Sequence, residues 1–271
     1  EGNLDEAERV LKEGLDIQPL NCDLLYNLAY LYETQQKYIT AYRYYNKIIK
    51  IADAEMVKEI IEKVEYLERI ENVREYCKRK KVLFIAHIFP PVGGSGVQRS
   101  LKFVKYLRDF GWEPVVVTVG KTKYPLIDET MLSEIPEELE IVRIDEVYSI
   151  EMKCANDLIQ LYSGVVNDNA LMKEYTEELN KSEAHLNQLL ILPDAFILWA
   201  KEVLRKIDEK VDFGEIDIIY STSGPYSDHI IGYYLKQKYN KPWVADFRDE
   251  WTNNPMAYYP RGNIRYKIEF A

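Results

Sequence analysis

Two short apolar segments enclose a glycine-rich loop and an amphipathic segment between residues 81 and 120. Val82–Ile88 is an almost unbroken run of strand-forming residues, which is typical of a strand buried on both faces of a parallel sheet. Pro114–Val119 predicts a second buried strand. Between them, apolar residues at helical spacing predict a helix that ends near Gly111: Val97, Leu101, Val104 and Leu107. The order indicates a βαβ unit with its glycine loop at the carboxyl edge of the sheet.

The chain beyond residue 120 alternates strand and helix patterns. A third strand is predicted at Glu140–Ile144, followed by an acidic helical insertion over about 146–190. Four elements then follow in the order helix, strand, helix and strand: Ile191–Lys210, Ile216–Tyr220, Ile230–Tyr239 and Trp243–Ala245. This alternation predicts an α/β Rossmann-like domain with a mostly parallel sheet over residues 81–271.

The first 54 residues contain an internal repeat. Ala7 and Ala41 are 34 residues apart, and three other pairs share this spacing: Leu4 with Tyr38, Leu11 with Tyr45, and Leu15 with Ile49. Thirty-four residues is the tetratricopeptide period, and residues 24–53 resemble one full repeat of that family. The resemblance implies small Ala29 and Ala41 where paired helices cross. A plain helical hairpin is the alternative.

The segment Ala54–Tyr76 is predicted to continue as one helix without the small-residue pattern, as a capping helix would. Residues 1–80 are therefore predicted to form an all-α helical repeat domain. Such a domain could bind a protein partner through a concave face.

Composition narrows the class of protein. The sequence is 47% hydrophobic, and no stretch approaches the length of a membrane span. The three cysteines are far apart and match no metal or redox spacing, so we expect no metal site and a reducing, cytoplasmic location. A net charge of −10 argues against nucleic-acid binding.

Three polar loops follow predicted strands and therefore share the carboxyl edge of the sheet: residues 93–96, 221–227 and 246–251. The segments that contain them carry a small net positive charge, which favours an anionic ligand. The glycine loop is a poor dinucleotide fingerprint, because Arg99 occupies the position of the third glycine, and it is no P-loop. A nucleotide-dependent epimerase or dehydrogenase is thus a weaker hypothesis.

The segments HIFPPVGGSGVQRSLKFVKYL, DIIYSTSGPYSDHIIG and PWVADFRDEW together resemble the N-terminal, acceptor-side half of retaining glycosyltransferases of the GT-B fold, family 4-like. The resemblance covers about residues 81–271. It implies a hexosyltransferase that uses a nucleotide diphosphate sugar as donor, with no tightly bound cofactor. The acceptor would be a glycan, a lipid-linked molecule or a protein.

The resemblance also implies roles for individual positions. The donor diphosphate would face the glycine loop at Gly93, Gly94, Ser95 and Gly96. The acceptor side would contain Ser223, Gly224, Tyr226 and Asp246.

The end of the last predicted strand carries the candidate catalytic residues. Many relatives have a histidine where this sequence has Arg248, so catalysis by that histidine is not expected here. A guanidinium at this position could bind a phosphate or a carboxylate through two hydrogen bonds, and Asp249 is a candidate base. Arg248 locked to a neighbouring aspartate as scaffold is the alternative. His229 is expected to be a helix-start or packing residue rather than a catalytic base. Arg99 is expected to be a solvated helix residue rather than an added charge beside the glycine loop.

A GT-B enzyme binds its donor mainly through a second domain, which residues 1–271 do not include. We therefore expect this chain alone to transfer no sugar. A non-catalytic tetratricopeptide adaptor with a structural Rossmann-like domain is the rival function. Peripheral contact with the inner membrane face through Lys102, Lys105 and Arg108 is a further hypothesis.

Overall fold

The computed structural model describes residues 2–146, 159–181, 192–252 and 264–269. The chain divides into two compact units: one contains Glu1–Lys80 with Gly111–Glu113, and the other contains Lys81–Phe110 with Pro114–Ala271. Among the described residues, none of the helices combines the length and the apolar character that crossing a bilayer requires.

The first unit is helical. Its five helices are α1 (Gly2–Ile17), α2 (Cys22–Thr34), α3 (Tyr38–Ile49), α4 (Ala54–Leu67) and α5 (Glu71–Lys78). Each of the first three helices packs on the next, and α5 packs on α3. Ala29 and Ala41 are both fully buried in the core that α2, α3 and α4 share. The small side chains therefore lie inside the helix packing, as the sequence pattern predicts.

The prediction of one continuous helix over Ala54–Tyr76 is wrong. Helix α4 ends at Leu67, and Ile70, in an extended conformation, precedes α5. Val73 and Tyr76 then pack with Ile39 in a small separate cluster. The burial of these side chains against α3 outweighs the helical propensity of a segment that contains neither glycine nor proline.

The second unit contains a five-stranded parallel sheet with the order β3-β2-β1-β4-β5. Its strands are β1 (Lys80–Ile85), β2 (Trp112–Val119), β3 (Glu140–Ile144), β4 (Ile218–Thr222) and β5 (Trp243–Asp246). Ile85 lies opposite Ser221, and Ser221 lies opposite Ala245. The five predicted strands all exist, with ends that differ from the predictions by three residues or fewer.

Helices and loops cover both faces of this sheet. Leu83 and Ile85 belong to the large core cluster, whereas Phe84 and Ala86 belong to a second one. Because side chains along a strand alternate between the two faces of a sheet, the two clusters lie on opposite faces. Strands β1 and β2 are therefore largely buried on both faces, whereas the edge strand β5 is partly exposed, with Val244 45% exposed.

The helices of this unit are α6 (Ser95–Leu107), α7 (Asn169–Lys181), α8 (Ile197–Lys210), α9 (Ser227–Tyr239) and α10 (Ile264–Glu269). Short 3-10 helices occupy Arg108–Phe110 and Glu129–Glu134. Residues 159–163 are also helical, which with α7 agrees with a helical insertion. The remainder of the insertion, 147–158 and 182–190, lies outside the described residues.

Helix α8 begins at Ile197, later than predicted. The carboxylate of Asp194 accepts hydrogen bonds from the amides of Phe196 and Ser227 at 3.0 Å each. Asp194 is thus the anchor of a turn that joins α8 to the start of α9, and residues 192–196 are not helical. Helix α9 begins at Ser227, ahead of the apolar helical pattern at Ile230–Tyr239.

Candidate functional site

The strand order reverses at β1, since the chain adds β2 on one side of this strand and β4 on the other. Parallel sheets bind ligands in the crevice outside the carboxyl ends of the strands at such a point. A small cleft lies there. The residues that line it on the loops and helix starts include Gly96, Arg99, Ser223, Gly224, Asp228 and Arg248. The cleft brings together residues from all three predicted loops.

Arg248 follows β5 and is held from both ends. Its amide donates a hydrogen bond to Ser223 Oγ at 2.7 Å, and its Nε pairs with Asp249 Oδ2 at 3.2 Å. The guanidinium group lies directly against Gly96 and Gly224, where a Cβ atom on either glycine would collide with it. Two glycines from different loops therefore make room for one cation in the cleft.

Asp246, predicted on the acceptor side, connects the elements around the cleft. Its carboxylate accepts hydrogen bonds from Arg99 Nη2 at 2.5 Å and Thr222 Oγ1 at 2.9 Å. Its carbonyl oxygen accepts one from the amide of Ser223 at 2.8 Å. Arg99 is therefore an ion-pair partner rather than the solvated residue that the sequence favoured, and Asp246 fixes α6 and β4 beside the last strand.

The glycine loop enters α6 through a left-handed residue. Gly94 has φ +114° and precedes the first residue of the helix. The amides of Ser95 and Gly96 belong to the first helical turn, whose N–H groups have no acceptor within the helix. The amide of Gly93, in contrast, donates to the carbonyl of Leu126 at 2.9 Å. Gly93 thus positions the loop, and Gly96 is the glycine of this loop that lines the cleft.

Two predicted site residues lie at the edge of this arrangement. The hydroxyl group of Tyr226 donates to the carbonyl of Glu250 at 2.7 Å, and its ring stacks on Trp251. Tyr226 therefore holds the segment after Arg248 and is not among the lining residues. Asp249 is largely exposed and pairs with Arg248.

Asp228 is the lining residue that the sequence did not single out. It is only 1% exposed, and its Oδ2 accepts a hydrogen bond from the amide of His87 at 2.9 Å. Its Oδ1 has no hydrogen-bond partner among the residues that the structure describes. Burial raises the pKa of this carboxyl well above its usual value, and the nearby Asp194 adds to the effect. The sequence feature that could have indicated Asp228 is its position as an acidic residue in the first turn of the helix that follows Gly224-Pro225.

His229 packs beneath the cleft, as the sequence favoured. It is 2% exposed, its Nδ1 lies 2.8 Å from Ser221 Oγ, and its ring lies against Phe247. Burial lowers its pKa to about 4, against a smaller opposing effect of Asp246. Burial thus favours the neutral imidazole at this position.

The three basic residues that suggested a lipid surface, two on α6 and one in the 3-10 helix after it, have protein partners. Lys102 and Lys105 pair with Glu134, and Arg108 Nη1 donates to the carbonyl of Glu137 at 2.9 Å. Their charges therefore attach α6 to the segment before β3. Within the described residues, no group of three or more His, Cys, Asp or Glu side chains is placed to hold a metal ion.

No family model, curated protein or solved structure matches the chain.

Proposed function

We propose that residues 81–271 form the acceptor-side domain of a GT-B-fold retaining glycosyltransferase that transfers a hexose from a nucleotide diphosphate sugar to a glycan, lipid-linked or protein acceptor. Most of the donor is then bound by a second domain, and the diphosphate also faces the cleft of this one. Residues 1–80 are the tetratricopeptide-like part, which recruits a protein partner. The observation that supports this proposal most is the Arg248 guanidinium between Gly96 and Gly224, in the crevice where the strand order reverses.

The chemistry of this site suits a diphosphate leaving group. In the transfer, the bond between the hexose C1 and the diphosphate oxygen breaks, and a bond from C1 to an acceptor hydroxyl oxygen forms. A guanidinium binds phosphate oxygens through two parallel hydrogen bonds. The first-turn amides of α6 add oriented donors at the positive end of the helix dipole. Arg248 and these amides would thus stabilise the negative charge that develops on the diphosphate.

The acceptor hydroxyl must lose its proton during the transfer. Asp249 is the candidate base in this proposal, because it lies three residues after the end of β5 and pairs with Arg248 Nε at 3.2 Å. Its exposed carboxylate is accessible to an acceptor that approaches from solvent.

Two measurements test the proposed function. The first is a screen of donor sugars and acceptors on the full-length protein, in which Arg248→Ala is expected to lower turnover by about 10²-fold or more. The second is calorimetric binding of inorganic pyrophosphate to the 271-residue chain, which Arg248→Ala should abolish. Arg205→Ala is the matched control, since Arg205 is exposed on α8 and pairs with Glu202. Turnover that Arg248→Ala leaves unchanged would refute the site.

The rival function is a non-catalytic adaptor in which the α/β unit is structural. The pairing of Arg99 with Asp246 and of Arg248 with Asp249 favours it, because these pairs also hold loops together. An adaptor would bind no pyrophosphate and would show no turnover in the screen. The same two measurements therefore separate the two functions.

A further inference from the structure

The buried carboxyl of Asp228 has no role in the site described so far. It lies in the first turn of α9 and lines the cleft together with Arg248 and Arg99. One of its oxygens is occupied by the amide of His87. The other is buried and has no hydrogen-bond partner in the described part of the chain. Buried polar atoms almost always have a partner, so an orphaned oxygen on a cleft residue points to a ligand.

The surroundings of Asp228 favour the protonated carboxyl. The side chain is enclosed, and the Asp194 carboxylate of the adjacent turn disfavours a second negative charge there. The amide of His87 opposes this effect through its hydrogen bond to Oδ2. A protonated carboxyl is a hydrogen-bond donor, and sugar hydroxyl oxygens accept such bonds.

We infer that Asp228 is a sugar-binding residue, whose carboxyl group donates a hydrogen bond from Oδ1 to a hydroxyl oxygen of a sugar phosphate while Arg248 binds the phosphate. The inference rests on the proposed function and narrows its ligand. The molecule in the cleft is a sugar with a hydroxyl group close to its phosphate, rather than phosphate alone. Asp228 then distinguishes the sugar, and Arg248 supplies charge attraction common to all phosphates.

The experiment compares the binding of inorganic phosphate with that of a panel of hexose 1-phosphates, measured by calorimetry on the 271-residue chain. The wild type should bind at least one hexose phosphate more tightly than phosphate. Asp228→Ala should lower the affinity for that hexose phosphate by about tenfold, the effect of one hydrogen bond. The affinity for inorganic phosphate should change by no more than about twofold. Asp228→Asn should retain the preference, because its amide group still donates. Arg248→Ala should abolish the binding of both ligands.

Ser227→Ala is the control for a local change in α9. Ser227 is as buried as Asp228, and its hydroxyl bonds Asp194 at 2.7 Å, but it does not line the cleft. Ser227→Ala should bind inorganic phosphate and the hexose phosphate with the affinities of the wild type. A direct readout on the wild type is the ¹³C resonance of the Asp228 carboxyl, assigned by its loss in Asp228→Asn. This resonance should shift with the hexose phosphate and not with phosphate.

The outcomes separate the two proposals. One outcome is that wild type and Asp228→Ala bind the hexose phosphate with equal affinity while Arg248→Ala does not bind it. This outcome would overturn the role of Asp228 and leave the proposed function standing. Loss of the preference in Asp228→Asn, or an unchanged carboxyl resonance, would also overturn the inference. A wild type that binds neither ligand would overturn both.

Discussion

The guanidinium group of Arg248 lies against the backbone of Gly96, at the position that a side chain on Gly96 would occupy. Gly96 belongs to the first turn of α6, and Arg248 follows the last strand. Because Gly96 has no Cβ atom, the guanidinium group of Arg248 can lie against the first turn of α6. This contact makes the geometry of the cleft sensitive to the smallest possible substitution.

We expect Gly96→Ala to lower pyrophosphate binding by about tenfold or more while the protein stays at least as stable. The methyl group displaces the end of a flexible side chain, and alanine is more favourable than glycine in a helix by about 0.5–1 kcal/mol. Calorimetry and thermal unfolding measure the two effects. Unchanged pyrophosphate affinity in Gly96→Ala would contradict the predicted contact with Arg248.

Gly224→Ala should reduce both stability and binding. Gly224 has φ +84°, so a side chain is strained there by about 1–2 kcal/mol, and the same methyl group would collide with Arg248. Gly111→Ala is the matched control, since Gly111 has φ +77° and, in the part of the chain that the structure describes, nothing lies within 4 Å of the position of its Cβ. Denaturant unfolding should show a similar loss in both variants. Equal pyrophosphate affinity in the two would contradict the predicted contact.

Asp228 should make folding stability depend on pH. Its pKa is raised in the folded protein by burial, so the folded state binds the proton more tightly than the unfolded chain. The stability that the protonated Asp228 carboxyl contributes to the folded protein is therefore fully present below about pH 3.8, and it is lost as the pH rises through the folded pKa. Over this range the free energy of unfolding of Asp228→Asn should rise relative to that of the wild type, by about 1.4 kcal/mol for each unit by which the pKa is raised. Urea unfolding at pH 4 to 8 measures this, and a constant difference would contradict it.

His229 should act in the opposite sense. Burial lowers its pKa to about 4 from 6.5, so the unfolded chain takes up a proton more readily than the folded one. The stability that the neutral imidazole contributes is present above pH 6.5 and is lost as the pH falls toward 4, by about 3 kcal/mol. The wild type should therefore lose stability relative to His229→Gln over this range. Parallel pH profiles for the two proteins would show that His229 titrates normally.

The buried alanine of α3 should tolerate no larger side chain. Ala41 is fully buried in the core of the helical unit, and overpacking such a site costs about 1–3 kcal/mol. Ala41→Leu should lower the unfolding free energy by this amount. Ala54→Leu is the control, since Ala54 is exposed at the start of α4. A stability close to that of the wild type for Ala41→Leu would contradict close packing there.

Local sequence patterns were sufficient for most of the fold. The third strand occupies the predicted residues, Glu140–Ile144, and the helix after the glycine loop starts two residues before the predicted Val97. The break between α4 and α5 was missed, because it depends on the burial of Val73 and Tyr76 against Ile39. The late start of α8 was missed for a similar reason, since Asp194 bonds to α9, which is distant in the sequence.

The sequence by itself determined the parallel strands and the edge at which the three loops meet, because apolar runs and chain order are local properties. It also supplied Arg248, Ser223 and the glycine loop as neighbours at that edge. Only the tertiary structure decided that Arg248 lies between Gly96 and Gly224 and that Tyr226 lies aside. It also decided that one oxygen of Asp228 has no hydrogen-bond partner among the described residues. Those facts depend on which side chains meet across elements, and no pattern along the chain specifies such contacts.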